Sequence, residues 1–366
     1  MLNKGLSEEE LFTFLSQKKS EDIGHEYILS SMCTLPHPVA VRAHDLFMET
    51  NLGDPGLFPG TASLERLLIQ RFGALFHCPE AGGYVTSGGT ESNIQALRLA
   101  RVQRKDTEYP NVVLPESAHF SFRKACEILC LEMRTVPLGK DRRMDADRAA
   151  EQIDSNTVAL VGIAGTTEYG MVDPIERLAK IALAHDLFFH VDAAFGGMVI
   201  PFLGKPVPFD FALPGVTTIA VDPHKMGMST IPAGCLLTRE PGMLAALNID
   251  TPYLTVKQGF TLTGTRPGAP VAGALAVLDY FGQDGMKAVI AGCMKNTERL
   301  IAGMETFGIM RAATPDVNVA TFFCDRVPNK WKVSWTRARH LRIIPMPHVT
   351  ADRIEAFITD IGEMYA

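Results

Sequence analysis

A lysine at the outer end of a buried strand is the first residue in this chain whose placement suggests chemistry. The segment VTTIAVDPHKMGMS runs apolar as far as Val221 and then emerges into Asp222, Pro223, His224 and Lys225. In open α/β sheets ligands sit beyond the carboxyl ends of strands. A partly desolvated lysine beside a histidine is suited there to Schiff-base formation with a carbonyl; a solvated loop lysine is the plain alternative. A second apolar run, DLFFHVDAAFGG, ends at His190, Val191 and Asp192 before small residues and two glycines. A carboxylate so placed can keep a heteroaromatic ring nitrogen protonated by charge pairing, or it can cap a turn. A third segment, YVTSGGTESNIQALRLA, reads as strand, glycine-rich turn and helix start. Gly88 and Gly89 let the backbone approach a ligand closely, and Thr90 with the free amides of the helix N-terminus can hold a phosphate. A glycine turn before an ordinary helix is again the alternative. The segment is neither G-x-G-x-x-G nor a P-loop, which disfavours dinucleotides and nucleoside triphosphates.

These residues need a sheet to position them, and the hydrophobic pattern supplies one. Short apolar runs at 84–86, 111–114, 158–163, 187–192, 217–221 and 234–237 alternate with helical stretches such as TASLERLLIQRFGALF, ESNIQALRLARVQRK and PIERLAKIALAHD. Near-continuous apolar strands joined by helices predict an α/β fold with a mostly parallel central sheet covered on both faces. From about residue 285 the rhythm changes to a long helix, two strand-like segments (VNVATFFC and HLRIIPM) and a last helix from Thr350. In that last helix Ile354, Phe357, Ile358 and Ile361 recur at helical spacing. The expected organisation is an N-terminal helical segment over 1–50, a large α/β domain over 51–285 and a small C-terminal α+β domain over 286–366.

Composition narrows the function. With 366 residues, 46% hydrophobic and 21% charged, the chain is a globular protein and neither disordered nor a coiled coil. Its net charge of −6 is scattered, so no basic stripe is present and nucleic acid is not an expected partner. Seven cysteines without a C-x-x-C pair predict reduced thiols. The stretch MLNKGLSEEELFTFLSQKK lacks the apolar core of a signal peptide, and no run is long enough to cross a membrane, so a cytoplasmic protein is expected. Ten histidines include no H-E-x-x-H and no cysteine cluster at zinc spacing, so no metal is expected.

Taken in order, SGGTESN, His119 after a strand, GTTEYG, HVDAAFGG, DPHKMG and LTGTRPG resemble the pyridoxal phosphate-dependent group II amino-acid decarboxylases of fold type I (aspartate aminotransferase-like). Within that group the chain is most similar to the archaeal tyrosine/aspartate decarboxylases of methanofuran and coenzyme A biosynthesis. The resemblance covers nearly the whole chain and implies pyridoxal 5'-phosphate as cofactor, bound by the large domain. It makes Lys225 the lysine that bonds the cofactor, His224 a phosphate contact and Asp192 the partner of the pyridine nitrogen. It places His119 against one face of the ring and Ala194 against the other, with Gly89 and Thr90 at the phosphate. Thr167, or else Thr166, falls near the ring hydroxyl or the cofactor-linked carboxylate.

The same resemblance makes Thr265 of LTGTRPG a contact supplied across a homodimer interface, so that the active site requires two subunits. It assigns Arg342 of HLRIIPM to the substrate carboxylate, a role suited to a planar guanidinium; a surface ion pair is the alternative. Asp54 of NLGDPGLFPGT is then a pocket or a turn residue, and Cys33 and Thr34 of SSMCTLPHP are substrate-side contacts. Tyr253 of TPYLTVKQG becomes either the donor that returns a proton to the α-carbon or a residue packed against the second subunit. The implied reaction is decarboxylation of an L-amino acid, tyrosine first, aspartate or glutamate otherwise. A fold type I aminotransferase or lyase, and a scaffold protein without turnover, are the remaining classes.

Overall fold

Seven strands build the central sheet: β1 (Gly82–Thr86), β2 (Asn111–Pro115), β3 (Glu132–Val136), β4 (Thr157–Ile163), β5 (Phe188–Asp192), β6 (Thr218–Val221) and β7 (Gly234–Thr238). The computed structural model describes residues 4–365. Strand order is β1-β7-β6-β5-β4-β2-β3, with β7 antiparallel to both neighbours and the remaining pairs parallel. β2, β4, β5, β6 and β7 are buried throughout, which is why each reads as a continuous apolar run rather than an alternating one. The edge strand β3, with sequence EMRTV, is half solvated and polar, and its pattern does not announce a strand.

Helices cover both faces. They are α1 (Glu8–Ser20), α2 (Pro38–Leu46), α3 (Pro59–Leu75), α4 (Gly89–Gln103), α5 (Ser121–Leu129), α6 (Ala146–Glu151), α7 (Ile175–Ala184), α8 (Ala269–Thr306) and α9 (Ala351–Tyr365). On one face Leu97 and Ala100 of α4 pack with Phe122 and Ala125 of α5. On the other, Phe72 of α3, Leu178 of α7 and Leu275 of α8 belong to a core that continues into the C-terminal residues Phe322, Ile343 and Phe357. α1 is N-capped by Ser7 in a capping box with Glu10, yet it has no buried residue.

A two-stranded ribbon, β8 (Ile249–Asp250) with β9 (Gln258–Gly259), carries the loop that contains Tyr253. The C-terminal sheet consists of β10 (Ala320–Phe322), β11 (Ser334–Trp335) and β12 (Leu341–Ile343) in the order β10-β12-β11, all antiparallel. α8 runs across position 285, and its one non-helical residue is Gly282, with φ of 56°. α9 buries Ile354, Phe357 and Ile361, the stripe read from the sequence. The N-terminal segment before α2 straps onto the C-terminal sheet: Leu29 N–H donates to Lys332, Ile344 N–H donates to Leu29, and Ile28 bridges Lys332.

Candidate active site

The carboxyl ends of β1, β2, β4, β5 and β6 open onto one cavity of about 260 Å³. On the β1 side the wall is Ser87, Gly88, Gly89 and Thr90. Gly88 is the N-cap of α4 at φ 147°, a conformation that a side chain would strain. No side chain caps α4, so its first amides are free to meet an anion. The turn is braced from behind by buried Glu91, whose carboxylate accepts from Ser87 N–H at 2.8 Å and from Tyr84 Oη at 3.0 Å.

Asp192 lies in the cavity wall at the end of β5. Oδ1 accepts from Ala194 N–H at 3.0 Å, and Oδ2 accepts from the Asn93 side-chain amide at 2.9 Å. That amide also donates to Ser121 Oγ at 3.0 Å, while the Asn93 carbonyl oxygen faces His190 Nε2 at 2.9 Å. With the amide nitrogen committed to Asp192, the oxygen must accept, so His190 carries its proton on Nε2. His190 Nδ1 pairs with Thr218 Oγ1 at 2.8 Å. Complete burial pushes the His190 pKa down to about 4, so the ring is neutral. His190 and Asp192 share one face of β5 because side chains alternate along a strand.

After β6, Lys225 Nζ lies 3.0 Å from Asp222 Oδ2, and both residues line the cavity. His224 also lines it; its Nδ1 accepts from Ala233 N–H at 3.1 Å, and a Cβ placed on Gly88 would come within 3.1 Å of its ring. His119, from the loop after β2, is fixed by Ser121 N–H donating to Nδ1 at 3.3 Å. Burial lowers the pKa of His119 and of His224, which keeps both rings neutral at pH 7.

A family model described as the pyridoxal-dependent decarboxylase conserved domain matches residues 49–319. The chain belongs to that family. It is 78% identical, over the full length of both chains, to a probable L-tyrosine/L-aspartate decarboxylase of Methanoregula boonei. It is 71% identical to one of Methanosphaerula palustris, covering 99% of this chain and 100% of the relative. Among solved structures, a sphingosine-1-phosphate lyase of Burkholderia pseudomallei superposes with a TM-score of 0.90 at 26% identity, over 99% of this chain and 91% of that one. A Lactobacillus brevis glutamate decarboxylase superposes with a TM-score of 0.91 at 21% identity, over 99% and 93%. The fold is therefore fold type I, as the sequence implied, and the chain is a pyridoxal phosphate-dependent carboxy-lyase.

The cavity of this decarboxylase fits its cofactor on its own chemistry. It offers an uncapped helix start for a phosphate, a half-buried amine for an aldehyde and a carboxylate held by two donors for a ring nitrogen. Gly89, Thr90, His119, Thr167, Asp192, Ala194, His224 and Lys225 all line it. Thr166 does not, because its hydroxyl accepts from Met171 N–H at 3.0 Å and is spent inside the loop.

The decarboxylase's remaining expected residues lie outside that wall. Arg342 is half-buried between the cavity loop and the N-terminal strap, donating to Thr167 O at 2.8 Å, Ser30 O at 3.2 Å and Ser334 Oγ at 2.9 Å. It has no carboxylate in ion-pair contact among the described residues, and burial lowers its pKa. It is therefore not the surface ion pair that the sequence left open. Cys33 stands near enough to Lys225 and Asp222 to feel their charge, although burial dominates and pushes its thiol pKa up. Thr34 is buried and hydrogen-bonds His348 Nδ1 at 2.8 Å.

Three further positions lie away from the cavity of their own chain. Asp54 is not a cavity residue: its carboxylate accepts from Thr255 N–H at 3.1 Å and from the Thr255 hydroxyl, because the Asp-Pro-Gly turn faces the β8–β9 loop. Tyr253, at the tip of that loop, is 87% exposed and does not line the cavity of its own chain. Thr265 is exposed beside a separate small cavity behind Ser87. Sequence reasoning assigned no role to Asn93, His190 or Asp222. The spacing of His190 two residues before Asp192 on one strand was the available signal for the second of these.

Proposed function

We propose that this chain decarboxylates L-tyrosine to tyramine and L-aspartate to β-alanine, tyrosine being the preferred substrate. The observation that carries the chemistry is the meeting of the Lys225 amine, the tethered Asp192 carboxylate and the uncapped start of α4 in one cavity. The substrate pair is supported by the name of the relative that is 78% identical over the full chain. Supply of tyramine to methanofuran and of β-alanine to coenzyme A would follow in a cytoplasmic setting.

Bound pyridoxal phosphate supplies an electron sink for the bond that breaks. The chain's residues create the conditions for it. Lys225 would hold the cofactor aldehyde through its amine, and Gly89, Thr90 and His224 would hold the phosphate. Asp192, held by Asn93 and Ala194, keeps the ring nitrogen protonated. His119 and Ala194 would border the ring and exclude water, and Thr167 would meet the ring hydroxyl. Arg342 still has free N–H groups after its three protein contacts, and it would grip the substrate carboxylate and fix the direction of the bond to be broken. Cys33 and Thr34 border the substrate side.

Two copies complete the site in this proposal. Phe12, Phe14 and Leu15 of α1, together with Tyr253, Leu262 and Tyr280, are large apolar side chains left exposed on one chain. A second copy covers them, brings Thr265 to the neighbouring phosphate and carries Tyr253 toward the α-carbon as proton donor. Incubation with tyrosine, aspartate and glutamate separately, with identification of the amine, tests the substrate. Tyramine and β-alanine are expected; γ-aminobutyrate as the main product would reject it.

A further inference from the structure

Asp222 is the one charged residue of the cavity that has no task in the chemistry above. Its side chain is 2% exposed at the end of β6. Oδ2 contacts Lys225 Nζ at 3.0 Å and lies 3.8 Å from His224 Nε2. Oδ1 is buried without a hydrogen-bond partner among the described residues. The carboxylate is also wedged tightly: a Cβ on Gly234 would come 2.8 Å from Oδ1, and one on Gly89 3.1 Å from Oδ2. A buried carboxylate with one oxygen unmet is costly, and removing its single close cation would make it more so.

We propose that Asp222 is the counter-ion that holds the Lys225 ammonium whenever the amine is not bonded to the cofactor, and that this carboxylate governs how readily the amine is released for bonding. The proposal rests on Lys225 being the cofactor-bonding lysine. Bonding requires the ammonium to give up a proton to Asp222 or solvent; the neutral amine then adds to the cofactor aldehyde, a C=N bond forms, and the aldehyde oxygen leaves as water. The groups that act on the amine are Asp222 on its own turn, Asp192 from β5, Cys33 from the N-terminal strap, His119 from the loop after β2 and the adjacent His224. Burial lowers the lysine pKa, but the charges of Asp222 and Asp192 and the contact with Asp222 outweigh it and leave the pKa raised. Asp222 is the one carboxylate in ion-pair contact with the amine among the described residues.

The test uses protein stripped of cofactor. Pyridoxal phosphate is added at several pH values, the reaction is stopped with borohydride at timed intervals, and cofactor fixed at Lys225 is counted by peptide mass. Binding of pyridoxine 5'-phosphate, which has no aldehyde, corrects each rate for non-covalent affinity. In Asp222→Asn and in Asp222→Ser the corrected rate at mildly acid pH should rise about tenfold, the neutral-amine gain from one pK unit. An unchanged or slower corrected rate overturns the proposal. Fixation of cofactor in Lys225→Ala at the wild-type rate would instead overturn the assignment of Lys225 itself.

A second measurement needs no cofactor. Lys225→Ala should lower the unfolding midpoint of the stripped protein by leaving Asp222 unpaired, and adding Asp222→Asn should restore most of the loss. Additive effects of the two substitutions would count against the pair.

Discussion

Asn93 and Asp192 meet at 2.9 Å in the wall of the cavity, and through that single amide the carboxylate is tied to His190 on the same strand. Every polar atom of the Asn93 side chain is used: two N–H groups on Asp192 and Ser121, and one oxygen on His190. The Asp192 carboxylate is therefore fixed by helix α4 and by the backbone just beyond its own strand.

Loss of that amide should be felt in turnover before binding. Asn93→Leu removes one hydrogen bond to a charged group, worth about 1.5–3 kcal/mol, so kcat should fall about 10- to 100-fold. Cofactor trapped at Lys225 by borohydride should stay near the wild-type amount. Asp192→Asn should lower kcat further while still holding cofactor. Unaltered kcat in either variant would remove Asp192 from the role of ring-nitrogen partner.

Acid should loosen the same network. His190 titrates near 4 in the fold against 6.5 in an unfolded chain. Its folded pKa is depressed, so the unfolded state binds the extra proton: stability is full above about pH 6.5 and declines as pH falls toward about 4, by at most roughly 1.4 kcal/mol per pH unit for this residue. His348, lowered by burial to the same value, adds to the decline. Denaturant midpoints measured across this window should fall toward acid, and His190→Gln should flatten the fall. A variant as acid-sensitive as the wild type would show that His190 is not the group responsible.

Arg266 of LTGTRPG is a structural clamp. It is 8% exposed, pairs with Glu65 at 2.6 Å and donates to the carbonyls of Val85 and Leu52. Glu65 in turn accepts from Val85 N–H. Arg266→Met leaves the largely covered Glu65 carboxylate without its cation, and denaturant unfolding should show a loss of about 3 kcal/mol. A loss below about 1 kcal/mol, the scale of an exposed pair, would contradict the buried clamp.

The proposed completion of each site by a second copy is tested with mixed subunits. Lys225→Ala and Tyr253→Phe chains are each expected to be inactive alone. Co-expressed, they should recover up to about a quarter of wild-type activity, because half of the dimers pair one of each chain and carry one intact site. No recovery in a confirmed heterodimer would place Tyr253 outside catalysis in trans.

How much of this was legible depended on burial. Strands covered on both faces are continuous apolar runs, so β4 and β5, and Asp192 at the end of β5, could be read from pattern, whereas Thr167 came only from the family resemblance. Edge strand β3 carries Glu132 and Arg134 and resembles a loop, and two-residue strands such as β8 and β11 have no period to detect. α8 runs through the expected boundary near 285, and Gly282 is its one non-helical residue. Asp54, Tyr253 and Thr265 sit on loops whose direction is set by contacts distant in sequence, such as that of Asp54 with Thr255. Asn93, inside the SGGTESN segment, was overlooked because its partners come from α5 and β5.

The most direct measurement follows the carboxyl carbon. Tyrosine and aspartate labelled with carbon-13 at C1 are supplied to the cofactor-loaded enzyme and to Lys225→Ala. Labelled carbon dioxide should appear in a one-to-one ratio with tyramine or β-alanine from the wild type, and from Lys225→Ala neither should appear. Retention of the label in a 2-oxo acid, or undiminished release from Lys225→Ala, would contradict decarboxylation through this lysine.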